Sequence, residues 1–240
     1  MDLSRRRAQL LLRIHRHYRT TRRTLRIAGL ELDFVQIEDP DRVLDQVAEA
    51  EDRLEKLSGR RTEGDCLHLP YWAELWDSAT GIAQYLIRRL DRGKPLNVLD
   101  LGCGMGLAGT VAARLGMKVL FADLEPPALL FAQLNSLADA PRVRTRRLNW
   151  QRDRLDEAFD LILGADILYE RKQWDFLEPF WRMHLAAGGS VLLGEPGRQT
   201  GDLFSDWIIA RGWSLTRHDE PVETRPVPIR LFELRSASDK

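Results

Sequence analysis

The chain has 240 residues, 44% of them hydrophobic, and its 36 basic and 36 acidic residues cancel to a formal net charge of zero. That content suffices for a sizeable core and excludes a wholly disordered chain. No apolar run is long enough to span a bilayer, and His15, Arg16 and His17 interrupt the apolar stretch that could have served as a secretory leader.

Charge is unevenly spread. Met1 to Arg26 holds nine arginines against one acid, Asp2, so this segment carries +8 and the remainder about −8. Cys66 and Cys103 belong to no CxxC pair and lie near no His pair. This argues against a zinc site and a disulfide framework, so no metal is expected and a reducing cytosol is the simplest compartment.

In chain order, Leu3 to Arg23 reads as a basic helix with a short apolar stripe at Leu3, Leu10, Leu11 and Ile14. Thr24 to Ile37 alternates around Ala28-Gly29, which predicts a hairpin or two short strands. Asp39-Pro40-Asp41 starts a helix that carries Val43, Leu44, Val47, Ala50, Leu54 and Leu57 at helical spacing and ends at Ser58-Gly59. Gly59 to Asp65 reads as a polar loop. Trp76 to Leu90 reads as an amphipathic helix closed by Asp91-Arg92-Gly93. Strand patterns then fall at Asn97–Leu101, Lys118–Asp123, Val143–Leu148, Phe159–Ala165, Ser190–Glu195, Trp213–His218 and Ile229–Leu234. Helical patterns fall between most of them, at Leu107–Leu115, Pro127–Leu137, Gln173–His184 and Leu203–Arg211. The alternation predicts a mostly parallel sheet covered on both faces. The last two strands have only Pro221, Pro226 and Pro228 in their connection, which predicts an antiparallel pair at the C-terminus.

The strongest motif is Val98-Leu99-Asp100-Leu101-Gly102-Cys103-Gly104-Met105-Gly106-Leu107, an apolar strand running through Gly-x-Gly-x-Gly into a helix. Glycines there permit a sharp turn and let a bulky ligand lie against bare backbone. Asp123 ends the next strand, where a carboxylate can accept both hydroxyls of a ribose. Two ligands compete. Gly104-Met105-Gly106-Leu107-Ala108-Gly109 formally matches the dinucleotide GxGxxG pattern, but counted from the strand end at Gly102 the pattern is GxGxG. Asp100 immediately before the loop would repel a pyrophosphate and suits the cationic sulfonium and ammonium of S-adenosylmethionine (SAM). The placement favours SAM, with a dinucleotide as the alternative.

Leu99 to Gly109 resembles the first motif of class I, seven-strand SAM-dependent methyltransferases, and Ala122-Asp123-Leu124-Glu125 with Leu129, Leu130 and Asn135 resembles the second. Leu148-Asn149-Trp150 resembles the segment those enzymes place near the adenine. Gly164-Ala165-Asp166-Ile167-Leu168-Tyr169 resembles the Asp-x-x-Tyr signature of the family 16 protein-lysine methyltransferases, and Pro70-Tyr71-Trp72-Ala73-Glu74-Leu75-Trp76 their Trp-containing segment. Gly194-Glu195-Pro196-Gly197-Arg198 is most similar to the subgroup acting on the electron transfer flavoprotein β subunit, and to its bacterial relatives. The resemblance covers Pro70 to about Arg198.

It implies a Rossmann-like seven-strand sheet over residues 70–240, mostly parallel with an antiparallel C-terminal pair, and the residue patterns place a basic helix, hairpin and helix extension before it over residues 1–69. It implies SAM as cofactor, with S-adenosylhomocysteine (SAH) as product. Trp76, Asp100, Gly102, Gly104, Gly106, Asp123, Leu124, Trp150 and Ala165 are its implied cofactor-binding residues. Asp166 and Tyr169 are the implied catalytic pair, Asp166 orienting the amine and Tyr169 walling the channel. A nearby carboxylate raises an amine's pKa and favours the unreactive form, so Asp166 is cast as an orienter and not a strong base. The expected substrate is a protein carrying a target lysine, with electron transfer flavoprotein β subunit as a candidate. The rivals are a small-molecule amine N-methyltransferase and a non-catalytic SAM-binding or nucleic-acid-associated protein. The expected protein is a cytoplasmic monomer that binds neither membrane nor nucleic acid. The Arg-rich start also fits an acidic partner, or a mitochondrial targeting helix in a eukaryote.

Overall fold

The computed structural model describes residues 2–58, 70–89 and 95–236. Helix α1 (Leu3–His15) is capped by Asp2, whose carboxylate accepts the amides of Ser4 and Arg5 at 2.9 and 3.3 Å. The helix stops well short of the expected Arg23, because Thr20 to Arg23 enter strand β1 (Thr20–Ile27). Strand β1 pairs antiparallel with β2 (Leu30–Ile37) from Thr20↔Ile37 to Ile27↔Leu30. The β-branched Thr20, Thr21 and Thr24 suit the extended chain, and the ladder satisfies backbone that an isolated charged helix would leave to water. Ala28 and Gly29 turn the hairpin with φ of 45° and 84°, the two positive angles of a type I′ turn.

Helix α2 (Pro40–Ser58) starts on Asp39, whose carboxylate accepts the Arg42 amide at 3.1 Å, with proline at its first position. The expected polar loop at 59–65, Cys66, His68 and the helix closure at 91–93 lie outside the described residues. A 3-10 turn (Tyr71–Ala73) leads into α3 (Asp77–Arg89). Next come β3 (Asn97–Leu101), α4 (Leu107–Arg114), β4 (Lys118–Asp123), α5 (Pro126–Asn135) and β5 (Val143–Arg147). The chain closes with β6 (Phe159–Ala165), α6 (Arg171–His184), β7 (Leu185–Glu195), α7 (Gln199–Ile209), β8 (Trp213–Glu220) and β9 (Ile229–Ser236). Strand β7 begins before the expected Ser190 and α7 before the expected Leu203.

The seven-stranded sheet has the order β5-β4-β3-β6-β7-β9-β8. Strands β3 to β7 are parallel, and β9 runs antiparallel to both β7 and β8. Its strands alternate between two cores. Val98, Val119, Phe121, Leu161 and Leu163 face one side with α3, α4 and α5. Leu99, Leu101, Leu120, Ala122 and Ile162 face the other with α6 and α7. Leu10, Ile14, Phe34 and Val35 of the N-terminal extension belong to the first of these cores.

From β3 the chain winds outward through β4 to β5, then returns to β6 and winds the other way. This reversal falls between β3 and β6, and open α/β sheets take their ligands beyond the carboxyl ends of the strands at such a point. No helix of the described residues is long and apolar enough to cross a membrane.

Candidate active site

The glycine loop leaves β3 and turns back over the sheet edge. Gly102, Gly104 and Gly106 all have positive φ, at 65°, 51° and 83°. At Gly106 a Cβ would meet the Ala132 Cα at 2.9 Å, so only glycine fits between the loop and α5. Asp123, ending β4, fastens the loop. Its Oδ2 accepts the Gly104 amide and its Oδ1 the Glu125 amide, both at 2.9 Å. Burial pushes its carboxyl up to about 6, against the pull of those amides. Each oxygen keeps a lone pair beyond its backbone bond.

Asp100 lies beneath the loop. Its carboxylate is 1% exposed and accepts the Gly109 amide in the first turn of α4 at 2.9 Å. Burial pushes it up to about 7, and the nearby Asp123 adds to the rise. It braces the loop from below, tying the end of β3 to the first turn of α4. Cys103 is a packing residue whose thiol burial pushes well up.

Trp150, beyond β5, lies beside the loop, its ring 3.6 Å from where a Cβ on Gly102 would stand. Its indole N–H donates to Gln173 Oε1 on α6 at 3.0 Å, which fixes the ring. Leu124 and Ala165, both partly exposed, follow Asp123 and precede Asp166 on the same edge. Trp72 is buried and supports the loop from the other side. Its carbonyl oxygen stands 3.5 Å from a Gly104 Cβ position, and its ring packs on Phe131 of α5 and edge-on to Tyr18, with centroids 5.9 and 5.3 Å away.

Asp166, Tyr169, Tyr71 and Trp76 form the second half of the site. The Tyr169 ring meets Tyr71 edge-on at 5.4 Å, and Tyr71 meets Trp76 at 6.2 Å. The Trp76 indole donates to the Tyr71 carbonyl at 2.9 Å. Trp76, expected with the cofactor, thus sits among the aromatics on the Asp166 side. Tyr169 is 39% exposed, yet its hydroxyl is pushed up to about 12, first by desolvation and then by Glu170, Tyr71, Asp166 and Asp123. Burial, Asp41, Asp77 and Asp166 raise Glu74, which marks the mouth as acidic and attractive to a cation.

Asp166 is the one non-glycine residue besides Ala28 with positive φ among the described residues, at 57°. It is 7% exposed, and Arg198 grips both its oxygens, with Nη2–Oδ2 at 3.1 Å. Burial raises its carboxyl while Arg198 lowers it.

These features accord with what the chain is similar to. A family profile described as lysine methyltransferase matches residues 71–202. The chain belongs to this lysine methyltransferase family. Within it, the chain is 35% identical to the electron transfer flavoprotein beta subunit lysine methyltransferase of Danio rerio over 62% of its length and 57% of the relative's. It is 37% identical to protein N-lysine methyltransferase METTL21A of Xenopus tropicalis over 50% of its length and 58% of the relative's. The chain thus spans little more than half the length of the curated relatives it matches. The crystal structure of the glycopeptide N-methyltransferase MtfA complexed with SAH shares the fold, with a TM-score of 0.58 at 15% identity, covering 77% of this chain and 96% of that one.

The family's glycine loop and Asp-x-x-Tyr segment account for most of the site, but three contributors went unassigned in the sequence. Tyr18 comes from the extension, and neighbouring Glu125 helps burial raise its hydroxyl. Asn135 closes α5 and binds the Val35 backbone at 2.8 and 3.0 Å and the Met105 carbonyl at 3.0 Å, tying hairpin to glycine loop. Arg198 stood in a quoted motif without a role. Among the described residues no group of three His, Cys, Asp or Glu could hold a metal ion.

Proposed function

We propose that the protein is a SAM-dependent N-methyltransferase that modifies lysine side chains of a protein substrate. The carrying observation is the pair of unlike groups at the carboxyl edge of one sheet: a glycine loop fastened by Asp123, and the ring cluster of Tyr71, Trp76 and Tyr169 beside the Arg198-held Asp166. The residues present fit SAM. Asp123 has lone pairs for two ribose hydroxyls, the glycine loop turns at positive φ with bare backbone at the sheet edge, and Trp150 offers an apolar face for the adenine. SAM, when bound, supplies a methyl group on a sulfonium whose neutral thioether departs readily.

The chain's residues then position and desolvate the acceptor. The acidic mouth at Glu74 and Asp77 draws in the cationic side chain. Tyr71, Trp76 and Tyr169 wall it from water. Asp166 orients the nitrogen, whose proton leaves to solvent before attack. A lysine in water has a pKa of about 10.4, so this loss is part of the barrier.

The relatives' names make electron transfer flavoprotein β subunit the first protein to try, and a cytoplasmic location, supported only by the sparse cysteines, belongs to the same proposal. The test incubates purified protein with methyl-labelled SAM and a host lysate, with Asp123→Ala as control. Label in a discrete precipitated protein, located on lysine by mass spectrometry and absent with the variant, is the expected result. Label confined to small molecules would replace the protein substrate by a soluble amine, and label on arginine would overturn the lysine assignment.

A further inference from the structure

We propose that Arg198 is a specificity-determining positioning residue, a built-in counter-cation that keeps the acceptor pocket charge-balanced by holding Asp166. This deepens the methyltransferase reading and rests on it.

The Arg198 backbone is anchored on both sides. Its amide donates to Glu195, and its carbonyl accepts from Arg230 at 2.7 Å. Glu195 is itself 1% exposed and paired with Arg230, which also reaches Asp202. From this fixed base at the start of α7, the guanidinium crosses to Asp166 as a two-pronged fork and lies 5.9 Å from the Trp76 ring centroid. The elaborate support brings one cation to the carboxylate that a substrate amine is expected to meet. An isolated Asp166 would trap an incoming amine as ammonium, with no lone pair to attack. Paired with Arg198 it is close to neutral, yet its oxygens can still accept a hydrogen bond from the nitrogen. The other groups that bear on Asp166 are Glu195, Arg225, Glu74 and Tyr169, and Arg198 alone among them bonds it directly.

The same pairing tunes the choice between SAM, a cation at sulfur, and SAH, its neutral thioether. Removing Arg198 leaves the buried Asp166 carboxyl to take up a proton or to pair with an incoming cation, which favours the cationic ligand. The test is calorimetric titration of the full chain with SAM and with SAH, for the parent, Arg198→Gln and Arg198→Lys. Arg198→Gln is expected to shift the SAM-over-SAH affinity ratio about tenfold toward SAM, while Arg198→Lys stays within about threefold of the parent. A thermal melt confirms that both variants fold, and a merely structural role would weaken both ligands alike. An unchanged ratio in folded Arg198→Gln overturns the inference and leaves the functional reading standing. A parent protein that binds neither ligand overturns that reading, and this inference with it.

Discussion

Asp123 and Asp166 end neighbouring regions of one sheet edge, yet they are held in opposite ways. Asp123 is gripped by two backbone amides, that of Glu125 in its own turn and that of Gly104 in the glycine loop after β3. Asp166 is gripped by a long side chain delivered from the far end of β7. Amide donors fixed by secondary structure cannot retreat, so the cofactor wall is built to stay as it is. A guanidinium on a flexible stem can shift without unfolding anything, so the acceptor wall can exchange partners. The contrast suits a reaction in which the cofactor is always the same and the acceptor must be admitted, oriented and released.

The largest way to break this contrast is Asp123→Ala. It unfastens the loop and removes the ribose acceptor, so SAM affinity measured by calorimetry should fall about a thousandfold. The rigid wall should also show in acid. Asp100 and Asp123 have folded values of about 7 and 6 against an ordinary 3.8, so the native state keeps protons the unfolded chain has released. Stability of the ligand-free protein should therefore fall as pH rises from about 4 to about 7, by at most about 7 kcal/mol, and level off above. Asp100→Asn keeps an oxygen for the Gly109 amide and should flatten that slope in denaturant titrations; a slope equal to the parent's would refute the assignment.

The adaptable wall is probed by Asp166→Ala. Turnover should drop about a hundredfold while SAM binding weakens by no more than about tenfold, and equal losses in both would erase the distinction between the walls. Asn135→Ala asks whether the extension is part of the rigid half. It orphans buried backbone of Val35 and Met105 and should cost about 2 kcal/mol, with faster amide exchange in β2. The smallest effect concerns the turn farthest from the chemistry. Ala28 sits at φ 45° with nothing else to justify it, so Ala28→Gly should raise stability by about 0.5–1 kcal/mol in thermal melts.

The methyltransferase sheet was readable in the chain because its information is local. Short continuous apolar runs mark strands such as Lys118–Asp123, and the glycines at 102, 104 and 106 announce a turn that only their backbones can make. Asp123 could be proposed because it closes a strand, and Asp166 and Tyr169 because they stand in a short local signature just after one. Charge on one helix face was not enough to bound α1, because the partner that claims Thr20 to Arg23 is β2, across a hairpin. Asp100 looked like a ligand for a cation until the fold buried it against Gly109. The bonds that decide the site's character join residues 32 apart, Arg198 to Asp166, and 100 apart, Asn135 to Val35. Periodicity and spacing carry no trace of such pairs. They exist only once packing brings distant elements together and burial makes each polar group find its partner.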